Sequence, residues 1–258
     1  MDSLFNDNGW KMNHLFGELE DITIERLKTF EPPEGYWVAY SGGKDSDVIL
    51  DLIRRSGVKY DAHHSLTTAD PPEIVRHVKE QFDVTIHRPK RTMWELIKYN
   101  GMPPRRNARY CCRTQKESGG TGRLIVTGIR RAEGANRSKR KMVEACYRDA
   151  TKKYLNVIID WSTTDVWQYI RKRKISYCSL YDEGFKRLGC VLCPMTRDVE
   201  RQIERWPKIA RAWERAIKAT YNPDKQGFES AEEYWQWWLD RDRKMRTDKD
   251  ELLFRYAG

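Results

Sequence analysis

Hydrophobic and polar positions alternate along the middle of the chain with two different periods. Stripes of apolar residues repeating every three or four positions predict helices at 47–55, 72–82, 93–99 and 164–173. Between these helices, short segments bounded by turn residues predict strands at 36–40, 60–66, 84–88, 123–129 and 156–161. Strands that alternate with helices favour a parallel sheet covered on both faces. The pattern therefore predicts an α/β fold with a parallel five-stranded sheet covered by helices.

Both ends of the chain have helical patterns without strands. Leu15, Leu19 and Leu27 belong to a stripe that predicts a helix before the stop at Pro32–Pro33. Past Pro194, spacings of three or four predict one amphipathic helix, which carries Ile203, Trp206, Ile209, Trp213, Ile217 and Tyr221. A second helix is predicted at 231–244. We thus expect a helical lead-in (1–34), an α/β domain (35–194) and a helical C-terminal extension (195–258).

The charge is concentrated in the middle of the chain. The net charge is +10, and residues 88–153 hold 19 Lys and Arg against 5 Asp and Glu. Such a segment attracts polyanions, including nucleoside phosphates and nucleic acid, although a solvated basic face is equally consistent with it. No apolar run approaches the roughly 20 residues of a membrane span, and the N-terminus lacks the pattern of a secretion signal. We therefore expect a cytoplasmic protein without a membrane partner.

A glycine-rich loop between the first predicted strand and helix carries the clearest chemistry, in the order Ser41, Gly42, Gly43, Lys44, Asp45 and Ser46. The glycines let the backbone approach a ligand closely, and the N–H groups at the helix start form an anion site. The serine hydroxyls and the Lys44 charge suit phosphate oxygens, and Asp45 could orient the loop or help to hold Mg²⁺. The alternative is a plain glycine turn before a helix.

The cysteines suggest a metal centre. Cys111 and Cys112 are adjacent, and Cys190 and Cys193 form a Cys-x-x-Cys element; together they make a four-thiolate set suited to zinc or an iron–sulfur cluster. Adjacent side chains diverge, which favours a [4Fe–4S] cluster over a single tetrahedral zinc ion. Nearby cations that favour thiolates are Arg105, Arg106, Arg109, Arg113 and Lys116. Core cysteines or a labile disulfide are the alternatives for the adjacent pair.

These motifs together resemble the phosphoadenosine phosphosulfate reductase family over roughly residues 37–194. The loop is similar to the pyrophosphatase loop, or PP-loop, of adenine-nucleotide α-hydrolases, many of which bind ATP and cleave it between the α- and β-phosphates. Further matching segments are Cys-Cys-x-x-x-Lys ending at Lys116, Gly-Ile-Arg-Arg-Ala-Glu from Gly128, Trp-Ser-Thr-Thr-Asp-Val-Trp from Trp161, Leu-Tyr-Asp-Glu-Gly from Leu180 and Gly-Cys-x-x-Cys-Pro from Gly189.

The resemblance implies roles for particular residues. The four cysteines are similar to those of iron–sulfur adenylylsulfate reductases and would hold one [4Fe–4S] cluster, with Lys116 near it and near the acidic groups of the nucleotide. Arg130 and Arg137 would contact phosphate or sulfate, and Gly128 would line the nucleotide site. The expected catalytic residues are Lys44, Asp45, Lys116 and Arg130. Two departures matter: the sequence has no cysteine after Cys193, where reductases carry their nucleophile, and its loop has the form found in ATP-cleaving relatives.

Three functions remain open from the sequence. The first is an ATP-dependent enzyme of sulfur metabolism that activates its substrate by adenylation for sulfur transfer, with Mg²⁺ on the phosphates and a nucleic acid as one candidate substrate. The second is an oxidoreductase that releases sulfite from adenylyl sulfate or phosphoadenylyl sulfate. The third is a non-catalytic, nucleotide- and cluster-binding subunit of a DNA or RNA sulfur-modification complex. A protein that donates sulfur or electrons is a candidate partner, and the missing thiol of the second function would have to come from Cys146, Cys178 or a partner.

Overall fold

The computed structural model describes residues 12–146 and 149–240. Six strands occur in this part of the chain, β1 to β6, at Tyr36–Ala39, Tyr60–Ser65, Val84–His87, Leu124–Val126, Val143–Ala145 and Lys153–Leu155. The α-helices in the same residues, α1 to α10, span Met12–Thr29, Lys44–Ser56, Pro72–Lys79, Met93–Asn100, Ala135–Ser138, Thr163–Arg173, Val199–Arg205, Pro207–Lys218, Pro223–Gln226 and Ala231–Leu239.

The chain forms two compact units whose segments interleave in sequence. Among the described residues, the first unit, called the sheet unit, consists of those up to His64, Pro72–His87 and Gly119–Leu188. The second, called the cysteine unit, consists of Ser65–Pro71, Arg88–Ser118 and the described residues from Gly189 onward. Because the segments interleave, no single cut of the sequence separates the units.

The sheet is mostly parallel and has the strand order β3-β2-β1-β4-β6-β5. β1 pairs in parallel with β2 and β4, β4 pairs in parallel with β6, and β5 pairs antiparallel with β6. The predicted α/β class is confirmed, but the count of five strands is wrong. The extra strand is β5, a three-residue edge strand without a strong apolar pattern.

The predicted strand at 156–161 is also wrong, because β6 ends at Leu155 and the chain turns there. Val157, Ile158 and Ile159 are buried, which explains their strand-like composition. The Asn156 side chain supports the turn by accepting a hydrogen bond from Thr127 Oγ1 at 2.5 Å and donating to the Lys141 carbonyl at 2.7 Å. Periodicity alone cannot distinguish a buried turn from a buried strand.

The core of the sheet unit includes the apolar face of α2. Val48, Ile49, Leu52 and Ile53 are each at most 1% exposed on this helix, which packs against α1 and α6. The helix ends at Gly57, whose φ of 75° is the left-handed conformation that glycine adopts without strain. The helix therefore begins directly after the first residues of the glycine-rich loop and ends before a glycine cap.

The cysteine unit is helical and has an aromatic core. The single helix predicted across Ile203 to Tyr221 is wrong, because α7 ends at Arg205 and α8 starts with Pro207. Proline lacks the N–H that a continuous helix needs but is well suited to the first turn of a new helix. The predicted final helix is observed over Ala231–Leu239, and the rest of its predicted span lies outside the described residues.

Four of the five tryptophans after Pro194 are buried, namely Trp206, Trp213, Trp235 and Trp238. The Trp213 and Trp238 rings stack with centroids 4.9 Å apart. These side chains hold the unit together and do not offer open faces for stacking on bases. Within the described residues, no helix combines the length and apolarity needed to cross a bilayer.

Candidate functional site

The predicted phosphate loop joins β1 to α2 and is folded around the Ser46 hydroxyl. Ser46 Oγ accepts hydrogen bonds from the N–H groups of Ser41 at 3.2 Å and Gly43 at 3.1 Å, and it donates to the Gly43 carbonyl at 2.7 Å. The Ser41 and Ser46 hydroxyl oxygens lie 3.1 Å apart. The loop leads directly into the N-terminus of α2, where backbone N–H groups and the helix dipole favour an anion.

Two glycines allow the loop to pass close to its neighbours. Gly42 has a φ of 74°, and a Cβ there would lie 2.8 Å from Val78 Cγ2 on α3. Gly128 follows β4, and a Cβ there would lie 3.1 Å from Asp45 Cβ. The sequence indicated that both residues belong to a nucleotide site, and the structure brings them to the same loop.

A chain of charges surrounds Asp45. Arg130 Nε donates to Asp45 Oδ1 at 2.7 Å, and Lys44 Nζ donates to Asp45 Oδ2 at 3.2 Å. Arg130 is 1% exposed and also donates to the Trp161 carbonyl at 3.2 Å. Both Asp45 oxygens are thus engaged by cations, and Asp45 orients Lys44 from one side. Arg130 holds this arrangement from within the protein.

A pocket of about 210 Å³ opens beside the loop in the sheet unit. Its charged lining consists of three cations, Lys44, Arg137 and Arg187, and two carboxylates, Asp45 and Glu133. Glu133 accepts a hydrogen bond from Arg137 and another from the Arg130 N–H group at 3.0 Å. Its excess of cations suits a phosphate-bearing ligand.

Most of the predicted nucleotide-binding residues lie together around this pocket. Those lining it are Ser41, Gly43, Lys44, Asp45, Ser46, Gly128 and Arg137. Gly42 shapes the loop and Arg130 supports Asp45, so neither is a lining residue. Lys116 belongs to the cysteine unit.

Tyr181 and Arg187 line the same pocket, although the sequence did not single them out as site residues. The Tyr181 hydroxyl accepts the Lys44 N–H at 3.0 Å, and Lys44 Nζ lies 5.4 Å from the centre of the Tyr181 ring. Burial raises the pKa of Tyr181, which therefore stays protonated. The available signal for Tyr181 was its place in the Leu-Tyr-Asp-Glu-Gly segment; Arg187 had none.

In the cysteine unit, Cys190 and Cys193 lie on a tight turn. Cys193 N–H donates to the Cys190 carbonyl at 3.2 Å, and Leu192 between them has a φ of 54°, which is unusual for a branched residue. Trp213 Nε1 donates to the Val191 carbonyl at 2.9 Å. The Leu192 N–H donates to Gln202 Oε1 at 2.7 Å. The helices of the tail thus fix the backbone that presents the two thiols.

Cys112–Lys116 is a single π-helical turn, and Cys111 caps its start. After the turn, the Glu117 N–H donates to the Cys112 carbonyl at 2.9 Å. Hydrogen bonding between the two thiols raises the pKa of Cys111 and lowers the pKa of Cys112 to about 6. Cys190 and Cys193 lie near enough to raise the pKa of Cys111 further. One unit therefore holds all four thiols that the sequence grouped.

Lys116 lies among acidic groups of the same unit. The charge of Cys190 raises the pKa of Lys116, and Asp70 and Cys112 raise it further. Cys190 Sγ is 3.3 Å from Thr67 Oγ1 and 3.8 Å from Asp70 Oδ1. Lys116 therefore stays charged and offsets the negative charge of nearby thiolates.

Four thiols in one unit fit a [4Fe–4S] cluster in kind and number, and none forms a disulfide. In residues 12–146 and 149–240, no three His, Cys, Asp or Glu side chains stand in the arrangement of a metal site. Direct Mg²⁺ ligation by the loop pocket fits poorly, because cations occupy Asp45 and Glu133.

The family comparison agrees with these motifs. The family model described as phosphoadenosine phosphosulfate reductase domain matches residues 35–196 of this chain, which is well over half of it.

Similar proteins include uncharacterized and enzymatic relatives. One uncharacterized protein of Methanocaldococcus jannaschii is 32% identical over an alignment of 214 residues, and the match covers 76% of this chain and 43% of that protein. Another from the same archaeon is 28% identical, and the match covers 77% of this chain and 51% of the relative. Adenosine 5′-phosphosulfate reductase of Bacillus anthracis is 27% identical, and the match covers 76% of this chain and 92% of the reductase. This chain thus spans about half the length of the archaeal relatives.

Solved structures share the fold. Phosphoadenylyl-sulfate reductase from Candida auris, a phosphate complex, superposes with a TM-score of 0.52 at 21% identity, covering 70% of this chain and 94% of that one. FMN adenylyltransferase from Candida glabrata gives a TM-score of 0.50 at 18% identity, covering 74% and 72%. One fold therefore serves both a reductase and an adenylyltransferase, and the reaction depends on the site residues.

Proposed function

This chain belongs to the phosphoadenosine phosphosulfate reductase family, and from that premise we propose that it binds ATP in the loop pocket and activates its substrate by adenylation for sulfur transfer. The observation that carries the proposal is the loop folded on Ser46, with Lys44 held over a cation-rich pocket. A loop of this form, Ser-Gly-Gly-Lys-Asp-Ser, resembles the pyrophosphatase loop of ATP-cleaving enzymes. The relatives with named activities are enzymes that act on adenylyl nucleotides.

In the proposed reaction, an oxygen of the substrate attacks the α-phosphorus of ATP. A phosphorus–oxygen bond to the substrate forms, the bond between the α-phosphorus and the bridging oxygen breaks, and pyrophosphate leaves. A hydrosulfide ion then attacks the substrate carbon that carries the adenylated oxygen. A carbon–sulfur bond forms, the carbon–oxygen bond breaks, and AMP leaves with that oxygen. Neither step changes the overall number of electrons on the substrate and sulfur, and no external reductant is needed.

The residues of the pocket supply position and charge for the first step. Lys44 and the N–H groups at the start of α2 would stabilise the negative charge that builds up on the phosphates. Asp45 holds the Lys44 ammonium group at 3.2 Å, which limits the positions that Lys44 can take. Arg137 and Arg187 would bind outer phosphate oxygens. Mg²⁺ is proposed to arrive on the nucleotide and not on a carboxylate ligand set.

We also propose that Cys111, Cys112, Cys190 and Cys193 hold a [4Fe–4S] cluster. When bound, such a cluster would supply a site for sulfide or for electrons. The chain's own contribution is supported by the turn that Trp213 and Gln202 fix at Cys190–Cys193. Lys116 would balance the charge of the thiolates.

The second candidate is a reductase that releases sulfite from adenylyl sulfate, and the identity to adenosine 5′-phosphosulfate reductases favours it. In this reaction a thiolate attacks the sulfur atom, the bond between that sulfur and the phosphate oxygen breaks, and AMP leaves. A reducing thiol must then release sulfite. The same pocket would bind the nucleotide in both candidates.

A nucleic-acid substrate stays a prediction. The basic segment (88–153) is less available than its charge suggests, because at least five of its arginines form ion pairs, among them Arg123 with Asp61 and Arg130 with Asp45. Arg131 pairs with Asp160, Arg137 with Glu133, and Arg140 with Glu144 at 2.5 Å. Pairing of this kind lowers the number of phosphates that the segment can neutralise.

One anaerobic preparation of the full chain tests these proposals. Its visible spectrum and iron and sulfide content are recorded, and it is incubated with ATP and Mg²⁺ or with adenylyl sulfate and a dithiol. AMP and pyrophosphate from ATP support the first candidate, and sulfite from adenylyl sulfate supports the second. A colourless protein with stoichiometric zinc would overturn the cluster.

Lys44→Ala tests the loop. We expect it to weaken ATP binding by about tenfold to a hundredfold, because one charge-assisted hydrogen bond contributes roughly 1.5–3 kcal/mol. Lys79→Ala is the matched control, since Lys79 is an exposed lysine of the same unit that does not line the pocket. Equal ATP affinity of the two variants, measured by calorimetry, would contradict the role of Lys44.

A further inference from the structure

A second set of ionisable side chains lies directly behind the phosphate loop and is not part of the pocket lining. Tyr40 immediately precedes the loop and Asp47 immediately follows it, and the Tyr40 hydroxyl donates to Asp47 Oδ1 at 2.6 Å. His77 Nε2, from α3, lies 2.9 Å from the same oxygen. Tyr40, Asp47 and His77 are each at most 4% exposed. The two ends of the loop are therefore tied together and to a third element by one carboxylate oxygen.

The other Asp47 oxygen, Oδ2, is buried and has no hydrogen-bond partner among the described residues. A buried polar atom without a partner costs roughly 1–3 kcal/mol. Replacing a whole buried ion pair by apolar residues of similar volume is often neutral or stabilising, so folding stability alone does not account for the pairing of Asp47 with His77. A carboxylate at this position must serve the loop in another way.

The electrostatic effect of Asp47 on the loop is unfavourable by itself. Asp47 lies in the first turn of α2, at the helix end where the pocket would accept a phosphate. A negative charge there repels an anionic ligand unless a positive charge balances it. His77 is placed to supply that charge, because its ring contacts Asp47 through Nε2 and lies 3.9 Å from Glu80 through Nδ1.

We propose that protonated His77 neutralises Asp47 behind the phosphate loop and that phosphate binding at the loop is thereby linked to a proton on His77. This inference rests on the proposed nucleotide site and assigns His77 and Asp47 as positioning residues that act through the loop. The ligand class is any nucleotide with a phosphate at the loop. Loss of the proton would leave the buried Asp47 charge unbalanced and weaken binding.

The charged surroundings of the pair determine the direction of the pH effect. Burial lowers the pKa of His77, but the hydrogen bond and charge of Asp47, together with Glu80, outweigh burial and raise the pKa above 6.5. Charged or ionisable groups near the three side chains are Asp45, Arg54, Glu80, Cys178 and Tyr181. Burial raises the pKa of Asp47, and the hydrogen bonds from His77 and Tyr40 oppose that rise. Because the pKa of His77 is raised, the proton persists above pH 6.5, and nucleotide affinity should fall as the pH rises through that higher value.

The test uses a charge-compensation cycle on the full chain, with ATP and adenylyl sulfate as probes in calorimetry from pH 6 to pH 9. His77→Gln keeps a donor near Asp47 but removes the charge, and we expect it to raise the Kd about tenfold at pH 6.5. Asp47→Asn removes the negative charge that His77 balances. We expect the nucleotide affinity of this variant not to depend on the protonation of His77. The double variant should therefore bind more tightly than His77→Gln alone.

Recovery of binding when Asp47→Asn is added to His77→Gln would show that His77 acts through its charge and not through packing. A purely structural role predicts that the double variant binds no better than His77→Gln. Tyr40→Phe removes the hydroxyl but keeps both charges, and we expect it to change the Kd less than His77→Gln does. Thermal unfolding of each variant checks that it is folded, and Lys79→Ala is the control on the same helix.

The outcomes distinguish the inference from the proposed function. Affinity of the unaltered protein that is constant from pH 6 to pH 9, or a double variant as weak as His77→Gln, would overturn the inference while ATP binding stands. Binding of adenylyl sulfate but not ATP would overturn the proposed function, and the pH dependence would then be measured with adenylyl sulfate. Failure of the unaltered protein to bind either nucleotide would overturn both.

Discussion

Gly42 has a backbone conformation that other residues adopt only with strain, and it also has no room for a side chain. Its φ is 74°, and its surroundings include Val78 Cγ2 at 2.8 Å and Ile74 Cγ2 at 3.0 Å from a Cβ placed there. Gly57, at the end of α2, has nearly the same φ of 75° but nothing within 4 Å of such a Cβ. A substitution at Gly57 therefore introduces backbone strain alone, whereas a substitution at Gly42 introduces both strain and steric crowding.

We expect Gly57→Ala to lower the free energy of unfolding by about 1 kcal/mol, the cost of a left-handed conformation for alanine. Gly42→Ala should lower it by about 3 kcal/mol, because crowding against α3 adds to the strain. Gly42→Ala should also weaken ATP binding, and Gly57→Ala should not. Urea unfolding and calorimetry measure both effects, and equal losses of stability would contradict the packing argument.

Among the elements, α2, β2 and the turn before β3 are joined through Asp83. Arg54 Nε donates to Asp83 Oδ2 at 2.9 Å, and the Tyr60 hydroxyl donates to the same oxygen at 2.6 Å. Burial raises the pKa of Asp83, but these hydrogen bonds and the Arg54 charge outweigh it and hold the pKa below its usual value. The ionised form of Asp83 therefore links three elements of the sheet unit.

This link should make stability depend on pH in a defined direction. The folded pKa of Asp83 is lowered, so its contribution is present above the unfolded value of about 3.9 and is lost as the pH falls through the folded value. We expect Asp83→Asn to destabilise the protein more at pH 7 than at pH 3. Urea unfolding across this range measures the difference, with the exposed Asp21→Asn as the control. A constant difference would contradict the assignment.

In the cysteine unit, two tryptophans on different helices bind different loops. Trp213 Nε1, on α8, donates to the Val191 carbonyl within the Cys190–Cys193 turn, whereas Trp238 Nε1, on α10, donates to the Pro104 carbonyl at 2.8 Å. Both indoles are buried. Each therefore donates the same kind of hydrogen bond, but only Trp213 donates it to the turn that bears cysteines.

We expect Trp213→Phe and Trp238→Phe each to cost roughly 1–3 kcal/mol of stability, because a buried carbonyl loses its donor. Only Trp213→Phe should also reduce the iron retained after anaerobic purification, by several-fold, since it loosens the turn that bears two proposed ligands. Iron analysis and urea unfolding test this pair. Equal iron content in the two variants would show that the Trp213 bond is not needed for the cluster.

For the whole molecule, the two candidate chemistries lie in different compact units. The residues that line the loop pocket all belong to the sheet unit, and the four grouped cysteines all belong to the cysteine unit. Regions that bind a ligand gain stability from it by mass action. Each ligand should therefore leave a distinct pattern of protection along the chain.

We expect ATP to slow hydrogen exchange most in peptides that cover 41–47 and 128–137, and removal of iron to speed it most around 111–116 and 189–194. Hydrogen exchange followed by mass spectrometry measures both patterns on one preparation. Protection by ATP that is confined to peptides of the cysteine unit would contradict the assignment of the loop as the nucleotide site.

The sequence by itself determined the features that depend on local order. Four predicted strands, the helices that follow the first three of them and the helix predicted at 164–173 are confirmed, because apolar periodicity and glycine or proline stops are local properties. The Ser41–Ser46 loop was recognisable for the same reason, since its glycines, serines and lysine are consecutive. The phosphoadenosine phosphosulfate reductase family was also recognisable, because each of its motifs consists of residues that are close together in the sequence.

Tertiary structure decided what depends on distant residues meeting. The turn at 156–161 is buried as deeply as a strand, so its apolar run misled the prediction, and β5 is defined by its partner more than by its own sequence. Tyr181 reaches the loop across 137 positions of the chain. Arg130 turned out to support Asp45 from within the protein, and His77 met Asp47 only because α3 packs behind the loop. Such contacts arise from burial in three dimensions, where hydrogen bonds and charges pair by distance and not by order along the chain.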